Sequence, residues 1–278
     1  MNVLMFWKRN KIEYFIGPGG YQMSNENKFF IIGVSFILSF MVFTTCGLPM
    51  TIEWHEITPS NYDVMQPTLE SLQTIFIDAF VPVVKTDVYK NDLRVATIPV
   101  EQRPLIEKKV NACIAETVRI KWNKKMSKLY VDLQNNRIPI AYVAIAKNSK
   151  KEAIGFALFI DEPMKDDLDA RLMTVTQGSC DNINLRLSNN DEIHLSLLAV
   201  KPTTQQKGVG RGLAFSIFDH CFRIKKIFLT TSASDSNKKT QGFYEHIGFT
   251  PVLKGTFLEA AGESDFDKEK ILFLYTKP

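Results

Sequence analysis

The residues with the most chemical potential lie between Glu192 and Phe249. At their centre Leu198-Ala-Val-Lys-Pro202 leads through a polar loop to Gln205-Gln-Lys-Gly208-Val-Gly210-Arg-Gly-Leu213. The apolar run ending at Val200 predicts a strand, and the apolar spacing after Gly210 predicts a helix. A glycine turn between the two leaves the first helical N–H groups unpaired at the positive end of the helix dipole, which suits an anion. Gly208 and Gly210 let the backbone approach that anion without a side-chain clash, and Lys207 and Arg211 can add charge beside it. On the incoming strand, alternation puts Glu192, His194, Ser196 and Leu198 on one face. A carboxylate and an imidazole there are candidates for proton transfer, since imidazole titrates in the useful range.

Three ligands compete for such a loop. A triphosphate loop needs Gly-x-x-x-x-Gly-Lys-Ser/Thr, which is absent. The dinucleotide fingerprint Gly-x-Gly-x-x-Gly, counted from Gly208, meets Leu213 where it needs a third glycine; counted from Gly210, it meets Phe215. The third candidate is the pyrophosphate of coenzyme A. Here the segment resembles motif A of the GNAT superfamily of N-acetyltransferases, whose loop reads Gln/Arg-x-x-Gly-x-Gly/Ala. It stands as Gln205-Gln-Lys-Gly208-Val-Gly210, after Leu198 to Pro202. A second block of that family, Asn-x6-Tyr-x3-Gly-Phe, is matched by Asn237, Tyr244, Gly248 and Phe249. The clear resemblance covers about residues 192–252.

The resemblance implies an α/β (α+β) acyl-CoA N-acyltransferase fold, with a mixed, splayed central sheet flanked by helices. It implies acetyl-CoA as cosubstrate, an amine as acceptor and no metal. Cofactor contacts fall on Leu198, Ala199, Val200, Gln205, Gln206, Lys207, Gly208, Val209, Gly210, Arg211 and Asn237. Pantetheine would pair with the backbone of Leu198 to Val200. Tyr244 would protonate the leaving thiolate. Glu192 and His194 would look onto the acceptor amine and serve as its base, directly or through water. The expected activity is direct acetyl transfer in a ternary complex. A catalytically degenerate CoA-binding sensor or scaffold is the alternative.

The elements that must position these groups follow from the rest of the chain. Thr51 to Ile57 reads as a first strand. A helix follows on Leu69, Leu72, Ile75, Phe76 and Phe80, closed by Pro82. Glu101 to Met126 is a long amphipathic helix with Leu105, Val110, Cys113, Ile114, Val118 and Trp122 on one side. Its other side is basic (Lys108, Lys109, Arg119, Lys121, Lys124, Lys125) and reads as a solvated face. Leu129 to Leu133 reads as a short strand. Ile138–Ala146 and Ala153–Ile160 form a hairpin around a polar turn. Residues 161–190 are weakly patterned and read as a loop insertion with one strand at Leu172 to Thr176. The acidic start of that loop, Asp161 to Asp169, could attract a cationic amine. Helices at Val209–Phe222 and Ser236–Ile247, and strands at Lys226–Thr231 and Lys270–Thr276, complete the pattern.

Composition bounds the rest. With 278 residues, 45% hydrophobic and 23% charged, the chain has ordinary globular make-up. A net charge of +4 without a basic, aromatic-interleaved stripe gives no case for nucleic acid. The four cysteines and four histidines are scattered without metal-ligand spacing. Residues 1–28 read as a flexible tail, and residues 51–278 as the catalytic domain. Between them, residues 29–46 carry no charge over about 27 Å of helix. That N-terminal hydrophobic helix is expected to be a single-pass membrane anchor or, alternatively, an export signal that is cleaved. The excess of positive charge before it predicts that the tail stays inside.

Overall fold

A computed structural model describes residues 5–8, 11–14, 50–91, 99–162, 172–177, 191–233, 237–257 and 268–278. The chain divides into two units, Met1–Cys46 and Gly47–Pro278. In the first unit, β1 (Met5–Lys8) and β2 (Lys11–Tyr14) pair antiparallel within the stretch read as tail. The apolar run 29–46, and with it the expected anchor, lies outside the described residues. Among the described residues no helix is long and apolar enough to cross a membrane.

The second unit is built on one eight-stranded sheet. Its strands in chain order are β3 (Thr51–Ile57), β4 (Ala141–Lys147), β5 (Ala153–Ile160), β6 (Leu172–Gln177), β7 (Glu192–Val200), β8 (Lys226–Ser232), β9 (Thr250–Phe257) and β10 (Lys268–Thr276). Across the sheet they run β3-β4-β5-β7-β8-β10-β9-β6. Every neighbouring pair is antiparallel except β7 with β8. β6 therefore leaves the 161–190 stretch to close the far edge against β9.

Two helical layers cover the sheet. On one face lie α1 (Tyr62–Asn91) and α2 (Arg103–Gln134). The α2 stripe Ile114, Val118, Trp122, Met126, Leu129 and Leu133 is buried against Leu72 and Phe76 of α1 and Phe156 and Leu158 of β5. Burying a side chain of this size contributes about 1.5–3 kcal/mol. On the other face lie α3 (Val209–Phe215), α4 (Ile217–His220) and α5 (Lys238–His246). Val209, Leu213, Ile217, Tyr244 and Phe249 pack there on Phe159, Ile193 and Phe273. Covered on both faces, β4 and β5 read as almost unbroken apolar runs.

Several expectations are corrected. Pro82 does not end α1, because Phe80, Val81 and Val84 still pack on the core. That burial outweighs a proline cost of about 3 kcal/mol. Leu129 to Leu133 is the last turn of α2 rather than a strand, continuing the buried stripe of Trp122 and Met126. The helix expected at Val209–Phe222 breaks at Ser216 and ends at His220. β9 was not expected, since Pro251 and Gly255 hide its apolar pattern. The ladder accommodates Pro251 at a register shift opposite Leu272 and Phe273.

Candidate active site

The site begins where the two parallel strands part. β7 and β8 pair only over Glu192–His194 with Lys226–Phe228. Beyond that point β7 runs on to Val200 and β8 to Ser232 with no further pairing between them. A β-bulge lies in the same stretch: Leu197 stands opposite Leu158 and Leu195 opposite Phe159, so Ser196 is the extra residue. A bulge bends its strand and shifts which face later side chains take. His194 stands opposite Ile160, on the α1/α2 face, whereas Leu198 stands opposite Ala157, on the α3 face. The single face expected for Glu192, His194, Ser196 and Leu198 is thus broken at Ser196.

The opening forms a cleft of about 1890 Å³. That exceeds the roughly 300–1,000 Å³ common for one small ligand, so two reactants fit side by side. Two β7 carbonyls in it are satisfied by side chains. Lys125 Nζ donates to Ser196 O at 3.1 Å, and Gln205 Nε2 to Val200 O at 3.1 Å. Backbone groups without a strand partner need such donors or a ligand.

One half of the cleft is the glycine loop. Gly208 caps α3 with φ +80°, in the left-handed region, while its neighbourhood is open. Its requirement is therefore conformational rather than spatial. The first helical bond runs from Gly212 N–H to Gly208 O at 2.9 Å, which leaves the amides of Val209, Gly210 and Arg211 ahead of the helical ladder. A Cβ on Gly210 would stand 3.1 Å from Phe243 Cζ, so α3 and α5 meet closely there. Asn237 Nδ2 reaches Thr231 Oγ1 (2.5 Å) and Ser232 O (3.1 Å), tying the start of α5 to β8. These donors and glycines fit a pyrophosphate with a chain extending along β7.

Most of the expected cofactor residues line this cleft: Leu198, Val200, Gln205, Gln206, Gly208, Gly210, Arg211 and Asn237. Ala199, Lys207 and Val209 do not. Ala199 and Val209 are buried in the core on either side of the sheet. Lys207 turns back to Thr203 O at 3.0 Å, closing the loop it was expected to charge.

The candidate acid and base approach from opposite faces. Tyr244 lies in the α3/α5 layer, packed on Phe243, Phe249 and Phe273, and lines the cleft. Burial pushes its phenol well above the usual tyrosine range, so it stays a proton donor. His194 lies on the other face, 8% exposed, with its ring stacked on Phe228 at 4.8 Å. Its Nδ1 makes no hydrogen bond among the described residues, and Glu162 Oε2 stands 3.7 Å away. Glu192 sits where β7 and β8 are still paired. It is buried and does not line the cleft, so the geometry separates it from His194.

Sequence reasoning put Lys121 and Lys125 on a solvated face and missed Lys128 and Asp132; all four line the cleft, as does Glu162 of the acidic stretch expected to draw a cation. The four α2 residues follow one another at helical spacing, which was the available signal. Asp161, expected to draw a cation, is instead paired with Arg223, and residues 163–169 lie outside the described residues.

The model of the acetyltransferase (GNAT) family matches residues 109–249, half of the chain. A search of curated proteins by sequence found no match. Among solved structures, the chain is similar to a GNAT-family acetyltransferase from Desulfovibrio desulfuricans at 14% identity and TM-score 0.40, covering 81% of this chain and 99% of that one. A PaiA N-acetyltransferase from Thermoplasma acidophilum, in complex with coenzyme A, matches at 14% identity and TM-score 0.41, with 81% and 99% covered. NAA60 from Arabidopsis thaliana, in complex with a bisubstrate analogue, matches at 15% identity and TM-score 0.39, with 82% and 98% covered.

Proposed function

This chain belongs to the acetyltransferase (GNAT) family, and from that premise we propose that it moves an acetyl group from acetyl-CoA to an amine. The observation that carries this reading is the β7/β8 splay, with the left-handed Gly208 loop at one end of β7 and Tyr244 in the cleft wall. Gly208 to Arg211 would hold the pyrophosphate through backbone amides, and the open edge of β7 up to Val200 would pair with the pantetheine arm.

Acetyl-CoA supplies a thioester carbonyl and a thiolate leaving group. His194, directly or through water, accepts a proton from the attacking amine, as the new C–N bond forms and the C–S bond breaks. Tyr244 gives its hydrogen bond, and then its proton, to the departing sulfur. Solvent returns the proton from His194 to Tyr244, so one amide and one thiol form with no net change in the protein. The two proton-transfer groups lie on opposite faces of the sheet, which suits an amine arriving from the α1/α2 side and a thiol leaving toward α5.

The rival reading is a CoA-binding sensor that turns nothing over. Thiol release from acetyl-CoA with and without amines separates them. Amine-dependent release supports an enzyme; tight binding without release supports the sensor.

A further inference from the structure

Resting on that reading, we propose that the acceptor is a primary amine joined by a short link to an uncharged apolar body, and that α1 around Pro82 holds that body. α1 lends Ala79, Phe80, Pro82 and Val83 to the cleft, and all four are apolar. With α2 it covers the sheet face assigned to the incoming amine. Leu129, Leu158 and Ile160 continue the apolar lining across that face.

The four α1 residues are of two kinds. Ala79 and Phe80 also pack on the core. Phe80 ends a run of rings: it lies on Phe76 at 4.4 Å, Phe76 on Trp122 at 5.2 Å, and Trp122 on Phe156 at 5.7 Å. Those contacts hold its ring as a fixed apolar surface in the cleft wall. Pro82 is exposed and Val83 half-buried, and among the described residues neither belongs to a buried apolar cluster. A proline inside a helix costs stability, and this one returns none of it as core packing. A residue that breaks a local rule without a folding gain is expected where a site sets its identity. The polar groups in the same half of the cleft are engaged with the protein. Lys128 pairs with Asp132 (2.6 Å), Lys125 donates to Ser196 O (3.1 Å), and Glu162 stands beside His194 (3.7 Å). Lys121 is exposed. A charged or strongly hydrated body would exchange water for this wall at a loss, whereas an apolar body gains by the same exchange. A free amine and the first residue of a peptide can share this chemistry.

The test is steady-state thiol release from acetyl-CoA with 2-phenylethylamine, ethanolamine, β-alanine and 1,4-diaminobutane, and with the peptides Phe-Gly-Gly and Ser-Gly-Gly. The proposal expects 2-phenylethylamine to exceed the other free amines, or Phe-Gly-Gly to exceed Ser-Gly-Gly, by about tenfold or more in kcat/KM. Whichever lead is larger distinguishes a free amine from a peptide N-terminus. Val83→Asn should raise KM for the preferred acceptor about fivefold or more, and Val83→Ile should keep it, while KM for acetyl-CoA stays in place in both. The proposal is overturned if neither apolar acceptor leads its counterparts, if Val83→Asn keeps the parent's preference, or if it shifts KM for acetyl-CoA instead. These outcomes leave acetyl transfer standing. Thiol release with none of the acceptors, in protein that binds acetyl-CoA, overturns the transferase reading and this proposal with it.

Discussion

The two walls of the cleft differ in what they are made of. The wall formed by the end of β7 and the Gly208 loop is mostly backbone, contiguous in sequence from Leu198 to Arg211. The facing wall is made of side chains from α2 and from the bulged part of β7. Its defining bond, Lys125 to Ser196, joins residues 71 positions apart. On the proposed reading the backbone wall would recognise what every acyl-CoA has in common, and it changes only when the fold changes. A side-chain wall can be rewritten residue by residue while the sheet stays intact. Substitutions in the first should therefore harm cofactor binding for every acceptor, and substitutions in the second should harm one acceptor more than another.

The largest effect is expected between the walls, at the group proposed to serve the leaving sulfur. Tyr244→Phe keeps the packing on Phe243, Phe249 and Phe273 and removes only the hydroxyl. It should lower kcat by about 10²–10³ while acetyl-CoA affinity, read by calorimetry, is kept. Unchanged turnover would take Tyr244 out of the mechanism. Next comes the comparison of His194→Gln with Glu192→Gln. The cleft position of His194 predicts a fall in kcat of about a hundredfold for it, and a much smaller change for Glu192. Equal losses would mean that both act through the fold.

Two glycine variants then probe the backbone wall. A Cβ on Gly155 would stand 2.9 Å from Ala199 O and 3.1 Å from Leu213 Cδ1. Gly155→Ala must push β7 or α3 aside and should cost about 1–3 kcal/mol by denaturant unfolding. Gly208→Ala meets no atom but must hold φ +80°, at a cost of about 1–2 kcal/mol expressed mainly as weaker acetyl-CoA binding. If the two variants behave alike, space and conformation have not been separated as the geometry says.

The smallest effect is on alkaline stability. Burial raises the Tyr244 phenol above its ordinary value, so the native chain keeps that proton where the unfolded chain has lost it. Its contribution is fully present below the unfolded value, about 10, and declines as pH rises beyond it. Tyr244→Phe should thus lose less stability than the parent between about pH 9 and 11 in denaturant titrations. A parallel decline would show that the phenol is not held protonated.

The same contrast explains what could be read from the chain alone. Gly208, Gly210, Asn237 and Tyr244 stand at positions set by local strand, turn and helix geometry, so their spacing carried the half of the cleft proposed for the cofactor. The half proposed for the acceptor depended on facts that spacing does not encode. The bulge at Ser196 breaks the alternation that grouped His194 with Leu198. Lys108, Lys109, Arg119 and Lys124 are solvated as expected, but Lys121 and Lys125 also line the cleft, whose other wall comes from strands far along the chain. Pro82 and Pro251 misled in the same way, since tertiary burial and a register shift outweighed their local preference.

The most direct measurement is the stoichiometry of thiol released and amide formed when the protein is given acetyl-CoA and an amine that it accepts. The account predicts release that depends on the amine, with one acetylated amine per thiol, and loss of both in Tyr244→Phe. Binding of acetyl-CoA with no amine-dependent release, across anionic, neutral and cationic amines, would contradict it.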